Sequence, residues 1–186
     1  MRKTCSIWSA LLLLAGGCAF FSGSIEEQLP KLRDKLPETS RVYLANPLNP
    51  NGGFLYTRNG NLVVNEFRRA FERRGIAVTA AARRGVERSS VRAEAKTNDC
   101  TVAVFSEILS WSYGDAGFSG FGGRDEVVLS VMLMNPATER VTTRARLTIA
   151  NGIGKSAVGG NDSPGEVVAP IIQKYVDSLF PEKKAP

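Results

Sequence analysis

The sequence predicts a single domain of mixed α/β (α+β) class, with one mixed sheet packed by three helices in the order β-α-β-α-β-β-β-α. Three observations predict it. Short apolar runs alternate with stretches in which apolar residues recur at helical spacing. Residues 141–149 alternate strictly between apolar and polar side chains, which is typical of a strand with one wet face. The chain of 186 residues is also long enough to bury a core of ordinary size.

The first half of the domain is predicted to contain two strand–helix units. The first strand covers 42–45, and a loop rich in Asn, Pro and Gly then runs to Gly60. Asn61 suits the N-cap of the first helix, and Gly75 suits its C-terminal stop. The second unit consists of a strand over 76–81 and a short helix over 89–98.

The second half is predicted to contain three strands and a closing helix. Residues 101–113 are apolar on both faces at their start, so we expect this strand in the middle of the sheet. A strand over 126–134 and a turn at 135–138 lead into the alternating strand. The Ser-Pro-Gly-Glu step at 163–166 favours a helix start. Pro170 should kink this helix or mark its true start.

The connections predict the strand directions. Two crossovers should make the first three strands parallel, and two tight connections should make the fourth antiparallel and the fifth parallel again. The Gly-rich loops after the first, third and fifth strands should therefore leave the sheet at one edge. We call these loops the rim. Ligands favour the carboxyl ends of parallel strands.

Aromatic side chains and one arginine mark the middle loop of the rim. Such residues are good contacts for a protein partner. The alternative is that Gly-rich loops simply connect strands and that their aromatics fold back onto the core. The candidate partner-binding residues are Trp111, Tyr113, Phe118, Phe121 and Arg124.

The first residues predict export. Residues 1–17 have a basic start, a short apolar stretch and a small-residue exit, which is typical of a signal peptide. The apolar stretch is far shorter than the roughly 20 residues that span a bilayer. Leu14-Ala15-Gly16-Gly17-Cys18 resembles the lipobox of bacterial lipoproteins, which implies a diacylglyceryl group on the Cys18 thiol and an acyl chain such as palmitate on its amine. The alternative is an ordinary signal with a chance cysteine.

The domain boundaries follow from this start. The lipidated cysteine and a tether occupy 18–40, the globular domain 41–180, and a short tail 181–186. Within the tether, residues 24–36 could form a short amphipathic helix, and an irregular linker is equally compatible. An extended tether would span at most about 75 Å. Ala19 after the cysteine favours the periplasmic face of the outer membrane.

Little in the composition supports catalysis. The chain has no histidine, which excludes Ser-His-Asp machinery and histidine metal ligands, so we expect no metal and no cofactor. Cys100 is expected to be a buried hydrophobe, with a reactive thiol as the alternative. Gly154-Lys155-Ser156 lacks the glycine that a phosphate loop needs five residues earlier. Glu107, Asp115 and Asp125 lie in or near the middle loop of the rim, and a pair of such carboxylates could serve a hydrolase.

The basic residues concentrate between 66 and 94. In an exported protein they would meet anionic envelope lipid or glycan rather than nucleic acid. The alternative is a solvated helix face. The candidate anionic-surface residues are Arg69, Arg73, Arg84 and Arg88.

Several stretches together resemble a group of bacterial lipoproteins, domain-of-unknown-function family 4823. The resemblance implies a lipoprotein and brings no activity. It departs from the family at Phe118, where Trp is expected, and at an extra residue within 121–123. More distantly, the topology is similar to periplasmic lipoprotein domains like the amino-terminal domain of TolB. The matching stretches are Arg41 to Pro47, Tyr56 to Phe71, Ile108 to Trp111, Phe118 to Gly120, Arg124 to Met134 and Pro170 to Phe180.

The sequence therefore predicts a non-enzymatic, lipid-anchored protein of the cell envelope that contacts an envelope partner through the rim. The binder of anionic lipid or glycan and the hydrolase are the alternatives. The oligomeric state is left open.

Overall fold

The computed structural model describes residues 21–28, 35–47, 54–81, 88–112, 126–151 and 164–182. Within these residues the chain forms a mixed α+β domain with one six-stranded sheet and three helices. The elements in chain order are β1 (Phe21–Gln28), β2 (Arg41–Leu44), α1 (Phe54–Arg73), β3 (Ala77–Ala80), α2 (Arg88–Thr97), β4 (Val102–Ser112), β5 (Glu126–Met134), β6 (Val141–Asn151) and α3 (Pro164–Leu179).

The strands lie in the order β1-β6-β5-β4-β2-β3. Strand β2 pairs in parallel with both β3 and β4, whereas β5 is antiparallel to β4 and β6 is antiparallel to β5. Strand β6 therefore runs in the same direction as β4. These directions confirm the sequence prediction, and β4 lies inside the sheet as its apolar start indicated.

The two faces of the sheet are covered differently. In β2, Val42 and Leu44 belong to the larger core cluster, which also contains the apolar residues of α1 and α3. Tyr43 belongs to a smaller cluster with Val91 and Ala95 of α2. Alternate residues of a strand point to opposite faces. Helices α1 and α3 therefore pack on one face of the sheet, and α2 packs on the other.

The N-terminal part of the domain differs from the prediction. The sequence predicts a tether over 18–40, with 24–36 as a short helix or an irregular linker, but residues 21–28 form β1 and pair with β6 over eight positions. Half-buried Ile25 packs against the larger core. Strand β1 also satisfies peptide groups of β6 that would otherwise form an open edge. Farther on, the N–H of buried Leu36 donates to the carbonyl of Leu179 at 2.8 Å, so this segment also docks on the fold.

Helix α1 begins at Phe54, seven residues before the predicted N-cap at Asn61. Gly60 is therefore not a rim residue: it is buried inside α1, where an added Cβ would lie 3.8 Å from Pro47. The predicted stop at Gly75 is confirmed. Gly75 adopts a φ of 80°, and its N–H and that of Ile76 donate to the carbonyls of Glu72 and Phe71 at 2.8 and 3.1 Å. This is the Schellman pattern.

The remaining elements follow the sequence closely. Helix α2 ends in the same pattern, with Asp99 in the left-handed region at a φ of 51°. The turn after β5 is held by the Asn135 side chain, whose Oδ1 accepts the N–H groups of Ala137 and Thr138 at 2.9 and 3.2 Å. Helix α3 begins at Pro164 and continues through exposed Pro170, so Pro170 does not mark its start.

Candidate interaction surface

One part of the sheet lacks a covering helix among the described residues. The cluster around α2 takes its sheet residues from β2, β4 and the end of β5, and none from β1 or from residues 144–148 of β6. Beyond α2, the outward-facing side chains of four strands form a mostly polar surface, in which Val128 is an apolar and buried member. We call this surface the open sheet face, and it is formed by Ser24, Glu26, Gln28, Glu107, Ser130, Arg144, Arg146 and Thr148.

The strand register places opposite charges side by side on the open sheet face. Arg146 pairs with Glu26 of β1 on one side and with Ser130 of β5 on the other, and Ser130 in turn pairs with Glu107 of β4. Neighbouring strands lie about 4.8 Å apart, so a guanidinium stands between two carboxylates along one row. Glu26 and Arg146 are exposed, and Glu107 is half-buried.

Arg144 and Arg146 are available for an external anion. Both are exposed, and in the part of the chain that the structure describes neither forms an ion pair. They lie two residues apart on β6, which separates their Cα atoms by about 7 Å. Guanidinium groups bind carboxylate and phosphate through two parallel hydrogen bonds. The pair can therefore receive an acidic group of a partner.

An apolar side chain flanks this polar surface. The β4–β5 register shifts between Ile108 and Ser110, which leaves Leu109 as an extra, bulged residue. Leu109 is 40% exposed, the one large hydrophobic side chain in the described segments that is so accessible. Bulges commonly re-aim a side chain beside a functional surface. Leu109 gives the surface an apolar contact next to the Glu107 end of the charged row.

The rim has the predicted topology, because β2, β4 and β6 all end at the same edge of the sheet. The structure does not show its candidate contact residues on a binding surface. Trp111 is half-buried and packs against the larger core, as the alternative interpretation of the loop aromatics requires. The other candidates, Tyr113, Phe118, Phe121 and Arg124, lie outside the described residues.

The predicted arginine surface is divided between the two faces of the sheet. Arg69 and Arg73 lie on α1, whereas Arg88 lies on α2, and these helices pack on opposite faces. Arg69 forms an ion pair with Glu66 at 2.8 Å, and Arg73 donates to the side-chain oxygen of Gln173 at 3.1 Å. The described members therefore do not form one patch, and Arg84 lies outside the described residues.

The candidate chemical groups are scattered in the same way. Glu107 lies on the open sheet face, and Asp115 and Asp125 fall outside the described residues, as does Cys18. Cys100 is buried, and burial raises the pKa of its thiol, which keeps it protonated as expected of a buried hydrophobe. Across the described segments, no group of three or more His, Cys, Asp or Glu side chains could hold a metal ion.

The fold defines a class of mixed α+β domain that known structures share. PelC from Paraburkholderia phytofirmans, solved as a dodecamer, superposes with a TM-score of 0.62 at 16% identity over 86% of this chain and 98% of that one. A variant of PelC gives a TM-score of 0.56 at 16% identity over 85% and 98% of the two chains. A Xanthomonas campestris protein of domain-of-unknown-function family 330 gives 0.47 at 13% identity over 76% and 81%.

No protein-family model and no curated protein sequence matches the chain. The likeness to PelC is therefore a likeness of fold. Of the helices in the described segments, none combines the length and the apolar character needed to cross a bilayer.

Proposed function

We propose that this chain is a lipid-anchored protein of the bacterial envelope that acts by binding a partner through the open sheet face, and not by catalysis. The observation that carries the proposal is the exposed pair Arg144 and Arg146. Neither forms an ion pair among the described residues, and both stand beside β1 on a part of the sheet that no described helix covers. The anchor is supported by the signal-like start and the lipobox-like step ending at Cys18.

The arrangement of charge favours a protein partner of complementary charge over a uniformly anionic surface. Arg146 stands in one row between the carboxylates of Glu26 on β1 and Glu107 on β4, so a polyanion that approached the basic pair would meet repulsion on both sides of Arg146. A protein surface can match such a row with groups of alternating sign, which gives specificity and register. Exposed Leu109 adds the apolar contact that such interfaces contain.

Photo-crosslinking in cells tests this proposal on the full lipidated chain. A photoreactive residue at exposed Ser24 or Gln28 reports on the open sheet face, and matched exposed positions Asn65 on α1 and Lys174 on α3 report on the opposite side. We expect adducts at the first two positions and none at the second two. Adducts confined to the helical side would refute the proposal.

Charge reversal identifies the groups responsible. Arg144→Glu together with Arg146→Glu should remove the adducts, whereas the double change to Lys should retain part of them, because Lys keeps the charge but not the planar fork. Both arginines are exposed, so the thermal midpoint should not change. Undiminished adducts in the Glu variant would contradict the role given to this pair.

A second copy of this chain is a specific candidate for the partner. PelC, whose chain is matched over 98% of its length, was solved as a dodecamer. A face that carries both signs of charge can also be complementary to itself. In this case the crosslinked adducts would be homodimers. Light scattering on the detergent-solubilised lipoprotein would give the mass of several chains for the natural protein and the mass of one chain for the Glu variant.

The rim remains a second predicted contact region. Crosslinks from Phe118 and Phe121 would support it, and their absence would leave the open sheet face as the binding surface. The non-enzymatic assignment would fail if Glu107→Gln removed a hydrolytic activity of the purified protein.

A further inference from the structure

The first strand of the fold begins very close to the proposed anchor. Strand β1 starts at Phe21, where it pairs with Asn151, the last residue of β6. Only three peptide steps separate Cys18 from Phe21. Three residues of extended chain span at most about 11 Å. The domain is therefore not carried on the long tether that the sequence predicted.

The start of β1 lies at a defined edge of the sheet. Because β1 is antiparallel to β6, it begins where β6 and β4 end and where β5 begins. We call this the near edge; it is the edge at which the rim loops leave the sheet, and it is marked by Phe21, Ser112, Glu126 and Asn151. The far edge carries the turn at 135–140, and the eleven residues of β6 place it about 35 Å away along the strands.

The start of β1 is also held in place. Each of its eight residues has a partner on β6. Helix α3 lies so close to it that a Cβ added at Gly23 would be 3.0 Å from Cδ1 of Ile171. Detaching β1 would break the strand ladder and open the contact with α3, so the start of β1 at Phe21 is held at the near edge.

We propose that the near edge of the sheet lies against the lipid headgroups of the membrane that holds Cys18. This proposal rests on the lipid anchor of the proposed function. The strands then stand upright on the membrane, with the turn at 135–140 farthest from it. The open sheet face is then turned sideways, where a neighbouring protein or a second copy can reach it.

Fluorescence quenching on vesicles tests this orientation. The probe is an environment-sensitive label on single cysteines introduced in the lipidated full chain, with Cys100→Ala as background. Ser24→Cys, Glu26→Cys and Gln28→Cys form a matched series, because these residues are exposed on one face of β1 at steps of about 7 Å. Thr138→Cys reports on the far edge. The quencher is a phosphatidylcholine with a nitroxide on its headgroup, mixed into phosphatidylethanolamine–phosphatidylglycerol vesicles.

We expect quenching to be strongest at Ser24→Cys, to fall through Glu26→Cys to Gln28→Cys, and to be absent at Thr138→Cys. Equal quenching along the series, or the strongest quenching at Thr138→Cys, would overturn the orientation. A 20-residue Gly/Ser insertion after Ala19, about 25 Å long as a coil, should leave the protein on the vesicles but flatten the gradient. A persistent gradient with the insertion would show that the short connection does not set the orientation.

The experiment distinguishes a missing lipid anchor from a wrong orientation. If the N-terminal peptide has no lipid mass and the protein does not sediment with vesicles, the anchor is wrong and the orientation falls with it. If the lipid is present and the protein sediments, a flat series refutes the orientation and leaves the anchored binding protein intact.

Discussion

The phenol hydroxyl of Tyr43 on β2 donates a hydrogen bond to the carboxylate of Glu94 on α2. This bond joins the sheet to the one described helix on that face. Burial, together with the hydrogen bond to Glu94, raises the pKa of Tyr43 well above its ordinary value of 10.0. The bond therefore helps to fix α2, whose position sets one boundary of the open sheet face.

Removing this hydroxyl should cost stability. Tyr43→Phe should lower the free energy of unfolding by about 1–2 kcal/mol, because it removes a bond to a charged group and leaves Glu94 partly desolvated. Urea unfolding measures the change. The control is Tyr175→Phe, because the Tyr175 hydroxyl is buried without a hydrogen-bond partner among the described residues. That change should be neutral or stabilising by up to about 1 kcal/mol. Equal losses in the two variants would contradict the role of the Tyr43 bond.

The raised pKa values of Tyr43 and Tyr175 predict that the folded protein loses stability at alkaline pH. Burial, with a smaller effect of the nearby Glu27 charge, raises the pKa of Tyr175 above its ordinary 10.0. The unfolded chain releases this proton near pH 10, whereas the folded chain keeps it. The free energy of unfolding is therefore unaffected below the pKa of tyrosine in the unfolded chain. Above that pKa it falls as the pH rises, by up to about 1.4 kcal/mol per pH unit for each tyrosine. Urea midpoints between about pH 9 and pH 11 should show this fall. Tyr175→Phe should reduce the slope, and a constant midpoint would contradict the prediction.

Arg74 should be more important for folding than its neighbour Arg73. Its guanidinium lies 5.3 Å from the Phe180 ring centroid and donates to the Pro181 carbonyl at 2.7 Å, so it joins the ends of α1 and α3. Arg74→Ala should cost about 2 kcal/mol, and Arg74→Lys should recover only part of it. Arg73→Ala should change stability by less than about 0.5 kcal/mol, because Arg73 is exposed with one bond to Gln173. Thermal unfolding of the three variants measures these changes. Similar losses of stability in Arg73→Ala and Arg74→Ala would contradict the special role of Arg74.

Two residues of β4 should separate folding from binding. Trp111→Ala should destabilise the fold by about 2 kcal/mol, because its indole packs against the larger core. Leu109→Ala should change stability by less than about 0.5 kcal/mol, because its side chain is exposed at the bulge. In cells, Leu109→Ala should nevertheless weaken the crosslinks from the open sheet face. Normal crosslinking in Leu109→Ala would remove this residue from the binding surface.

The sequence predicted best where the signal is local. The predicted bounds of β5 and the predicted start of β6 are confirmed. The turn predicted at 135–138 lies between them, and in the structure the Asn135 side chain holds it. Gly75 ends α1 for the same reason. The start of α1 was missed because Asn59 and Gly60 favour a loop, and their cost in a helix is offset by burial, with Gly60 against Pro47.

Strand β1 could not be found from its own residues. Its segment carries Ile25 as its one aliphatic side chain apart from small residues, and its partner lies near the other end of the chain. The open sheet face could not be predicted in full for the same reason, because part of it belongs to β1. The alternation of apolar and polar residues in β6 did predict that Arg144 and Arg146 are exposed to solvent, but their position beside Glu26 depends on the pairing of β6 with β1. The helical arginines formed a cluster in sequence, yet helix packing sends them to opposite faces.

The pairing of β1 with β6 also orders events during synthesis. Strand β1 is made first, but its partner residues 144–151 leave the ribosome after most of the chain. Residues 21–28 therefore cannot pair with β6 until most of the chain has been made. A membrane enzyme that modifies Cys18 would meet an open peptide and not a folded edge, and closure of the sheet would come afterwards. A variant that paired β1 early with another strand should accumulate as unprocessed precursor.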